Sequence, residues 1–280
     1  MPTFAVTQPV PLVVDVPFAN LHVVASERDD VVVTVLPSDP RKSGSVRAAE
    51  QIRVDRDGDT IAITYPGSWK QFVLPFAAGT ADISVELPTG SSLRGKTGSV
   101  YAEGALGAVE MAASVADVRL DVVERLDVKA SAGSVVVDRV SGPADIKVSA
   151  GSVRVGEAAG EVTVRASNGT TTVGSVTGAL EVHGAHGDIV VSQVRGTVTA
   201  KSAHGGIRVN NLESGGATLT TSFGSIEVGV PQGTAAYLDL ASEHGTVRNQ
   251  LTPTEGPVDD EATAEIHAST GFGDVIVRRP

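Results

Sequence analysis

The chain has 280 residues, of which 41% are hydrophobic and only 4% aromatic, and its formal net charge is −11. A negative balance of this size repels phosphate backbones and argues against nucleic acid as a partner. The lack of cysteine excludes disulfides, thiol nucleophiles and thiolate metal sites.

The N-terminal stretch reads MPTFAVTQPVPLVVDV and contains neither a basic region nor a long apolar run. No stretch elsewhere approaches the ~18–20 apolar residues of a membrane-spanning helix. We therefore expect a cytoplasmic protein without a signal peptide or an integral membrane segment.

Residues 1–94 predict an irregular N-terminal group of short strands that caps the rest of the chain. The runs that indicate strands are LVVDV, LHVVA, VVVTVL, QIRVD, TIAITY and ISVEL. Each run is short and rich in aliphatic residues, and turns such as SERDD and DRDGDT separate them.

The densest group of aromatic residues follows in YPGSWKQFVLPF, residues 65–76, which contains Tyr65, Trp69, Phe72 and Phe76. One interpretation is a plug that covers the first coil of the repeats described next. The other is an exposed apolar contact for a partner, for a second copy of the chain or for a membrane surface. The sequence leaves both open.

Between residues 95 and 250 the sequence repeats itself about every 18 residues. Glycines that precede a short residue and then an aliphatic one mark the repeat, and they are Gly98, Gly133, Gly151, Gly169, Gly187, Gly205 and Gly224. A second glycine lies about halfway along each repeat, at Gly107, Gly142, Gly160, Gly178, Gly196, Gly215 and Gly233.

Aliphatic residues occupy the second and fourth positions after these glycines, which is the period of a β-strand. A fixed repeat of this length is typical of a solenoid. We predict an all-β, parallel β-solenoid with two strands and about 18 residues in each coil, every strand pairing in parallel with its equivalent one coil away. The side chains predicted to face inward include Val135, Val153, Ile189, Ile207 and Ile226.

We expect one elongated domain over residues 1–280, with the regular coils in residues 95–250. Residues 251–280 predict a loop and a C-terminal strand, because the polar stretch TPTEGPVDDEATAE (252–265) precedes the final GFGDVIV. Irregular ends are expected in a solenoid, since its terminal strand edges must be covered.

Several phrases resemble the bacterial putative-adhesin family of unknown function. They are VELPTGSSLRGKTGSVYAEG (85–104), the tandem GSV and GDI repeats, VPQGTAAYLDLASEHGTV (230–247) and GFGDVIV. The resemblance covers most of the chain and implies a β-solenoid fold. It carries no catalytic residues over to this sequence, because a fold alone does not imply a function.

One column of the repeat offers a candidate metal site. The residues just before the corner glycines are Ala132, Ala150, Asn168, His186, His204, Phe223, His244 and Phe272. His186 and His204 are expected about 5 Å apart in neighbouring coils, with Asp188 close to the same turn, and two imidazoles with a carboxylate can bind a transition metal. The alternative is a solvated corner where flat side chains stack. No cofactor is otherwise expected.

An enzyme on this fold would need carboxylates or basic groups that converge in a cleft. The outward-facing arginines, such as Arg119, Arg154 and Arg208, are instead spread over separate coils. We therefore expect a non-enzymatic structural or interaction scaffold, adhesin-like, which binds a protein partner or a second copy of itself. The alternative is a glycan-binding or glycan-cleaving β-helix, although residues 102–222 contain no Phe, Tyr or Trp.

Overall fold

The computed structural model describes residues 2–66, 79–115, 117–252 and 261–280. These residues form β-strands almost throughout, with one α-helix near the N-terminus. The predicted class, an all-β parallel solenoid, is confirmed. The described residues contain no helix that is long and apolar enough to span a membrane.

The chain divides into two compact units, Met1–Val137 and Asp138–Pro280. The elements of the first unit are β1 (Thr3–Ala5), β2 (Pro11–Val16), β3 (Ala19–Ser26), β4 (Asp30–Pro37), α1 (Ser43–Gln51), β5 (Arg53–Asp57), β6 (Thr60–Thr64), β7 (Ala81–Pro88), β8 (Ser92–Thr97), β9 (Val100–Val115) and β10 (Val118–Ala132). The boundary between the units falls within β11 (Val135–Val140). That residues 1–280 act as one domain stays a prediction.

The N-terminal coil of the first unit lies between two coils that follow it in the sequence. β2 pairs in parallel with β6 on one side and with β8 on the other. β3 pairs in the same way with β7 and with β9. Leu12 and Leu21 are consequently buried from both sides. The beginning of the chain is thus an inner coil, flanked on both sides by strands that come later.

Three strand pairs at this end are antiparallel, and they lie in the N-terminal region predicted to be irregular, whereas parallel pairing was predicted for the repeats. β1 pairs with β4, β4 with β7, and β5 with β6, all antiparallel. For β5 and β6 the reason is the two-residue link Gly58–Asp59, because so short a connection can join only antiparallel neighbours. The positive φ of Gly58, +59°, is the backbone state that such a turn needs.

The helix α1 is a departure from the prediction, since the residue patterns before position 94 indicate only strands. Ser45 and Ala48 are its buried residues and lie three positions apart, on the same side of the helix. Apart from Val46, its remaining residues are polar or small, so it shows no long apolar stripe. Tertiary packing of a short contact face, against β4 and β7, accounts for this helix better than amphipathic periodicity does.

In the second unit, each coil consists of two consecutive strands. Its strands are β12 (Ala144–Ala150), β13 (Val153–Ala158), β14 (Glu161–Asn168), β15 (Thr171–Val176), β16 (Ala179–His186), β17 (Ile189–Val194), β18 (Thr197–His204), β19 (Ile207–Leu212), β20 (Gly215–Phe223), β21 (Ile226–Gly229), β22 (Thr234–His244), β23 (Val247–Asn249), β24 (Ala262–Phe272) and β25 (Val275–Arg278).

The strands of neighbouring coils pair in parallel and in the predicted register. Leu180, for example, lies beside Val198, and Ile189 lies beside Ile207. The residues predicted to face inward are at most 1% exposed, and they are Val135, Val153, Ile189, Ile207 and Ile226. Full burial of one such side chain contributes about 1.5–3 kcal/mol, so the aliphatic columns are the main source of stability.

Glycine is required at the two corners of a coil for different reasons. At Gly187 the backbone has φ +129°, and a Cβ atom would also lie 2.3 Å from the carbonyl oxygen of Gly169 one coil away. At Gly178, halfway round the coil, φ is ordinary, but a Cβ would lie 2.2 Å from the Gly160 oxygen. Close approach of neighbouring backbones therefore explains Gly178, whereas Gly187 also requires the tolerance of positive φ.

The C-terminal coil is inserted into the stack in the same way as the N-terminal one. β24 lies between β20 and β22, and β25 lies between β21 and β23. Residues 262–265, predicted as part of a loop, are therefore the first residues of β24. Their strand character comes from the buried alternation of Ala264, Ile266 and Ala268, which the polar neighbours obscure in the sequence. The outermost coil is formed by β22 and β23.

Candidate interaction site

Five aromatic rings stack in a row along one corner of the second unit. The row, named the aromatic ladder here, runs His186, His204, Phe223, Phe272, His244. Successive ring centroids are 5.0, 4.9, 5.0 and 4.5 Å apart. The first three pairs of ring planes are within 5° of parallel, and the last pair is tilted by 23°.

Strand register builds this ladder. Each ring belongs to the last residue of its strand, directly before a corner, and the registers place these residues side by side. Because neighbouring strands lie ~4.8 Å apart, the rings are held at stacking distance by the backbone itself. Asn168 continues the column beside His186 and donates its side-chain NH₂ to the Ser149 carbonyl at 3.3 Å.

The sequence predicted this column but not its order. Phe272 follows His244 in the chain, yet it lies between Phe223 and His244 in space. The insertion of β24 between β20 and β22 causes the exchange. As a result, the two phenylalanines stack on each other and form the centre of an apolar surface, with histidines at both ends.

The ladder is exposed to solvent along its length. Phe223 is 47% exposed and Phe272 is 48% exposed, and the three histidines are exposed as well. Since each ring covers the faces of its neighbours, the ladder presents ring edges to solvent: carbon–hydrogen edges from Phe, and nitrogen-bearing edges from His. Exposed, contiguous apolar surface of this kind marks interaction sites more often than isolated exposed residues do.

The candidate metal ligands are brought together only in part. His186 and His204 are adjacent, but their planes differ by only 3° and are stacked. The nitrogen lone pairs lie in those planes and run side by side, so they do not converge on one ion at the ~2.0–2.1 Å that a metal requires. Asp188 accepts a hydrogen bond from the Gly206 N–H at 2.8 Å and so stabilises the turn that contains Gly206 in the next coil. In the part of the chain that the structure describes, no three His, Asp or Glu residues are grouped as metal ligands.

Of the aromatic cluster in residues 65–76, only Tyr65 belongs to the described residues; Trp69, Phe72 and Phe76 lie outside them. The Tyr65 ring packs edge-on against Phe18, with centroids 4.7 Å apart and planes at 89°. Its hydroxyl donates to Gln51 Oε1 at 2.6 Å. Tyr65 thus connects the end of α1 to the turn between β2 and β3. The capping or interaction role of the cluster stays a prediction.

A charged cluster on the outward face of β24 was missed in the sequence. His267 lies between two carboxylates, with Nδ1 3.2 Å from Asp239 Oδ2 and Nε2 2.9 Å from Glu265 Oε1. Hydrogen bonds that the imidazolium of His267 donates to Glu265, the larger cause, and to Asp239 raise the pKa of His267 above its ordinary value. The cluster could be found only by aligning β24 with β22, and the loop assigned to residues 252–265 prevented that alignment.

The outermost coil is the second surface that sequence reasoning missed. Inner coils bury their inward side chains completely, but Leu238 and Leu240 of β22 are only half-buried, and Val247 of β23 is 42% exposed. The neighbouring residues in the same columns, such as Ile266 and Val275, are not exposed at all. This coil therefore exposes part of the apolar interior.

Fold and surface together define a class: a glycine-cornered β-solenoid that carries an exposed ridge of stacked aromatic rings. More narrowly, the chain belongs to the Toastrack DUF4097 family, whose model matches residues 11–277. This finding confirms the family resemblance predicted from the sequence. No curated protein matches the chain.

Several solved structures are similar to the chain at low sequence identity. A putative adhesin from Bacteroides fragilis NCTC 9343 is 11% identical, with 99% of this chain and 95% of that chain covered and a TM-score of 0.39. A putative adhesin from Parabacteroides merdae ATCC 43184 is 12% identical, with 99% and 94% covered and a TM-score of 0.44. One from Parabacteroides distasonis ATCC 8503 is 11% identical, with 98% and 95% covered and a TM-score of 0.41.

Proposed function

We propose that the chain is a non-enzymatic, adhesin-like interaction scaffold, and that the aromatic ladder is the surface through which it holds a protein partner. The observation that carries the proposal is the pair Phe223 and Phe272. Both rings are nearly half exposed, and both are fixed in the centre of a continuous five-ring row. The proposed scaffold also binds a second copy of itself, through a different surface.

A preformed aromatic surface favours binding because little conformational freedom remains to be lost. The ladder rings are held by strand register and by their stacked neighbours, so a partner need not order them. Aromatic side chains are enriched at the centres of protein interfaces, where their large apolar area is removed from water. The ladder combines that area with histidine nitrogens at its ends, which supply polar contacts around an apolar centre.

The same geometry favours a protein over a glycan. Sugars bind aromatic residues by stacking on an open ring face, but within the ladder each inner face is already covered by another ring. Ring edges suit aliphatic and aromatic side chains of a protein partner, which can pack between and along them. The net charge of −11 likewise disfavours nucleic acid.

The ionisable groups support a non-enzymatic role. A carboxyl group that acts as a general acid at neutral pH needs a raised pKa. The described carboxyl groups whose pKa departs clearly from the ordinary value are all lowered, and they are Asp117, Glu181, Glu213 and Glu227. Glu227 shows the cause: Arg278 donates to it at 2.6 Å and Arg208 at 3.0 Å, so the carboxylate is held ionised between two coils.

Site-specific photocrosslinking tests the proposal. A photoreactive phenylalanine analogue replaces Phe223 in one variant and Tyr101 in a control; Tyr101 is 43% exposed and lies outside the ladder. After incubation in lysate of the native host, the proposal expects a discrete crosslinked protein at position 223 that is absent at position 101. Its affinity is then measured for the wild type and for Phe223→Ser/Phe272→Ser.

The expected result is a loss of at least about tenfold in affinity for the double variant, because two central aromatic contacts are removed. Tyr101→Ser should bind as the wild type does. A crosslinked protein that binds the double variant as tightly as the wild type contradicts the ladder as the binding surface. Retention of the wild type on a glycan array, lost in the double variant, would instead support the glycan-binding alternative.

A further inference from the structure

The outermost coil has a strand edge that no other described strand covers. β22 pairs with β24 over its whole length, from Thr234 beside Ala262 to His244 beside Phe272. β23 pairs with β25 alone among the described strands. Each strand of a parallel sheet has a second edge of N–H and C=O groups, so this coil offers two rows of backbone groups to another chain.

The sequence of β22 lacks two of the usual protections of an edge strand, proline and basic side chains, although it carries the charged residues Asp239 and Glu243. It reads TAAYLDLASEH, with no proline and no lysine or arginine. Its inward residues Leu238 and Leu240 are half-buried at the open side of the coil, and Tyr237 is 64% exposed on the outward face. A long, open edge with apolar inward residues is suited to strand addition.

We propose that the outermost coil is the interface of a twofold dimer, in which β22 pairs antiparallel with β22 of a second copy and β23 with β23. The inference rests on the proposed scaffold function and specifies its self-association. A second copy is the occupant because its coil has the same cross-section, so that the two open interiors close each other. A twofold interface is also the commonest way in which identical chains associate.

The register of this dimer follows from charge and from the direction of the side chains. The midpoint of β22 (Thr234–His244) is the outward-facing Asp239, where an axis would set two carboxylates against each other, so the axis is placed at the adjacent inward-facing Leu240. Counted from the corner between His244 and Gly245, Asn249 lies as far along β23 as Leu240 lies along β22. An axis through both places Leu240 against its own copy, inside the closed interior. It also places outward residues opposite outward ones, as antiparallel pairing with one apolar side requires.

The polar residues of β22 are complementary in this register. Tyr237 lies opposite Glu243 of the second copy, so a phenol hydroxyl meets a carboxylate. Asp239, whose side chain is 68% exposed, lies opposite Ala241 and not opposite the other Asp239. No like charges of β22 therefore face each other directly, which would destabilise the pairing.

Two substitutions at one exposed position test this register. Ala241→Lys places a cation opposite Asp239 of the second copy twice in each dimer, whereas Ala241→Glu places an anion there. From the strength of cross-strand charge pairs, the dimer dissociation constant should fall about three- to tenfold for Lys and rise by a similar factor for Glu. Light scattering over a dilution series measures it. At high concentration the wild type should reach the mass of a dimer, twice 28.6 kDa.

A wild type that stays at 28.6 kDa at every concentration overturns the proposal, and it would mean that the chain covers this edge by itself or leaves it open. Equal dissociation constants for the Lys and Glu variants also overturn it, because the register would then be wrong. Melting temperatures equal to that of the wild type confirm that both variants fold. Crosslinking at Phe223 is measured on the same variants, so that a failed dimer leaves the partner-binding proposal independently testable.

Discussion

The ring of Phe272 stacks on the ring of Phe223, with centroids 5.0 Å apart and planes within 5°, although β21, β22 and β23 lie between their strands in the sequence. The C-terminal coil is therefore an inner layer of the second unit, and it supports both the ladder and the outermost coil. Substitutions of its core residues should therefore lower the free energy of unfolding more than substitutions at an ordinary chain terminus do.

Ile266→Asp tests the importance of the inserted coil. Ile266 is not exposed and lies between Ala217 and Leu238 of the flanking strands. A carboxylate there is unpaired and buried, so we expect a loss of several kcal/mol in the free energy of unfolding. Urea denaturation measures the loss, and hydrogen exchange should show β22 opening first. Thr263→Asp, on the exposed face of the same strand, should change stability by less than about 0.5 kcal/mol.

A regular coil should be equally sensitive in its interior. Val153 is 1% exposed, and its neighbour Arg154 points outward. Val153→Asp should lower the free energy of unfolding by several kcal/mol, whereas Arg154→Asp should leave it nearly unchanged. Because coils contact mainly their neighbours, exchange protection should fall in the adjoining coils as well. Equal thermal melts for the two variants would show that Val153 does not face the core.

Replacing Gly233 and Gly205 by alanine distinguishes the energetic cost of backbone strain from that of a steric clash. Gly233 has φ +80°, and beyond its chain neighbours no described atom lies within 4 Å of the place that a Cβ would take. Gly233→Ala should therefore cost about 1–2 kcal/mol from strain alone. Gly205 has φ +149°, and a Cβ would also meet the Gly187 oxygen at 2.2 Å. Gly205→Ala should cost about 3–5 kcal/mol. Chemical denaturation of both variants measures the difference, and equal losses would contradict the close contact between coils.

The sequence predicted those features of the fold that local residue patterns encode. The corner glycines and the alternation around Val153 and Ile189 specify the coil length and the buried face. They do not specify which strand is the neighbour, because the inward Ala264, Ile266 and Ala268 fit any aliphatic column. The insertion of both terminal coils is therefore decided by tertiary packing and could not be predicted from the sequence.

The candidate site was predicted to a similar extent. The column that contains His186 and His204 follows directly from the repeat period, but its exposed centre depends on Phe272 lying next to Phe223. The helix α1 escaped prediction because only Ser45 and Ala48 are buried on it. The metal-ligand interpretation used the spacing of the histidines correctly, but spacing does not show that the imidazole rings lie flat against each other.

The charged cluster around His267 predicts a dependence on pH. Because Glu265 and Asp239 raise the pKa of His267, its interactions stabilise the folded chain fully below the ordinary pKa of about 6.5. This contribution is lost as the pH rises through the raised pKa. On the two strands beside β24, the residues facing His267 are Asp239 and the uncharged Thr218. An NMR titration should place the pKa of His267 above 6.5. In Asp239→Asn/Glu265→Gln the pKa should return toward that value, and an unchanged pKa would contradict the assigned cause.

The affinity of the protein captured at Phe223 shows directly whether the ladder is its binding surface. Isothermal titration with the wild type, with Phe223→Ser/Phe272→Ser and with Tyr101→Ser compares the ladder with an exposed aromatic residue elsewhere. We predict that only the double variant loses affinity, by at least about tenfold, while all three proteins melt at similar temperatures. Equal affinities for the wild type and the double variant would contradict the ladder as the interaction surface.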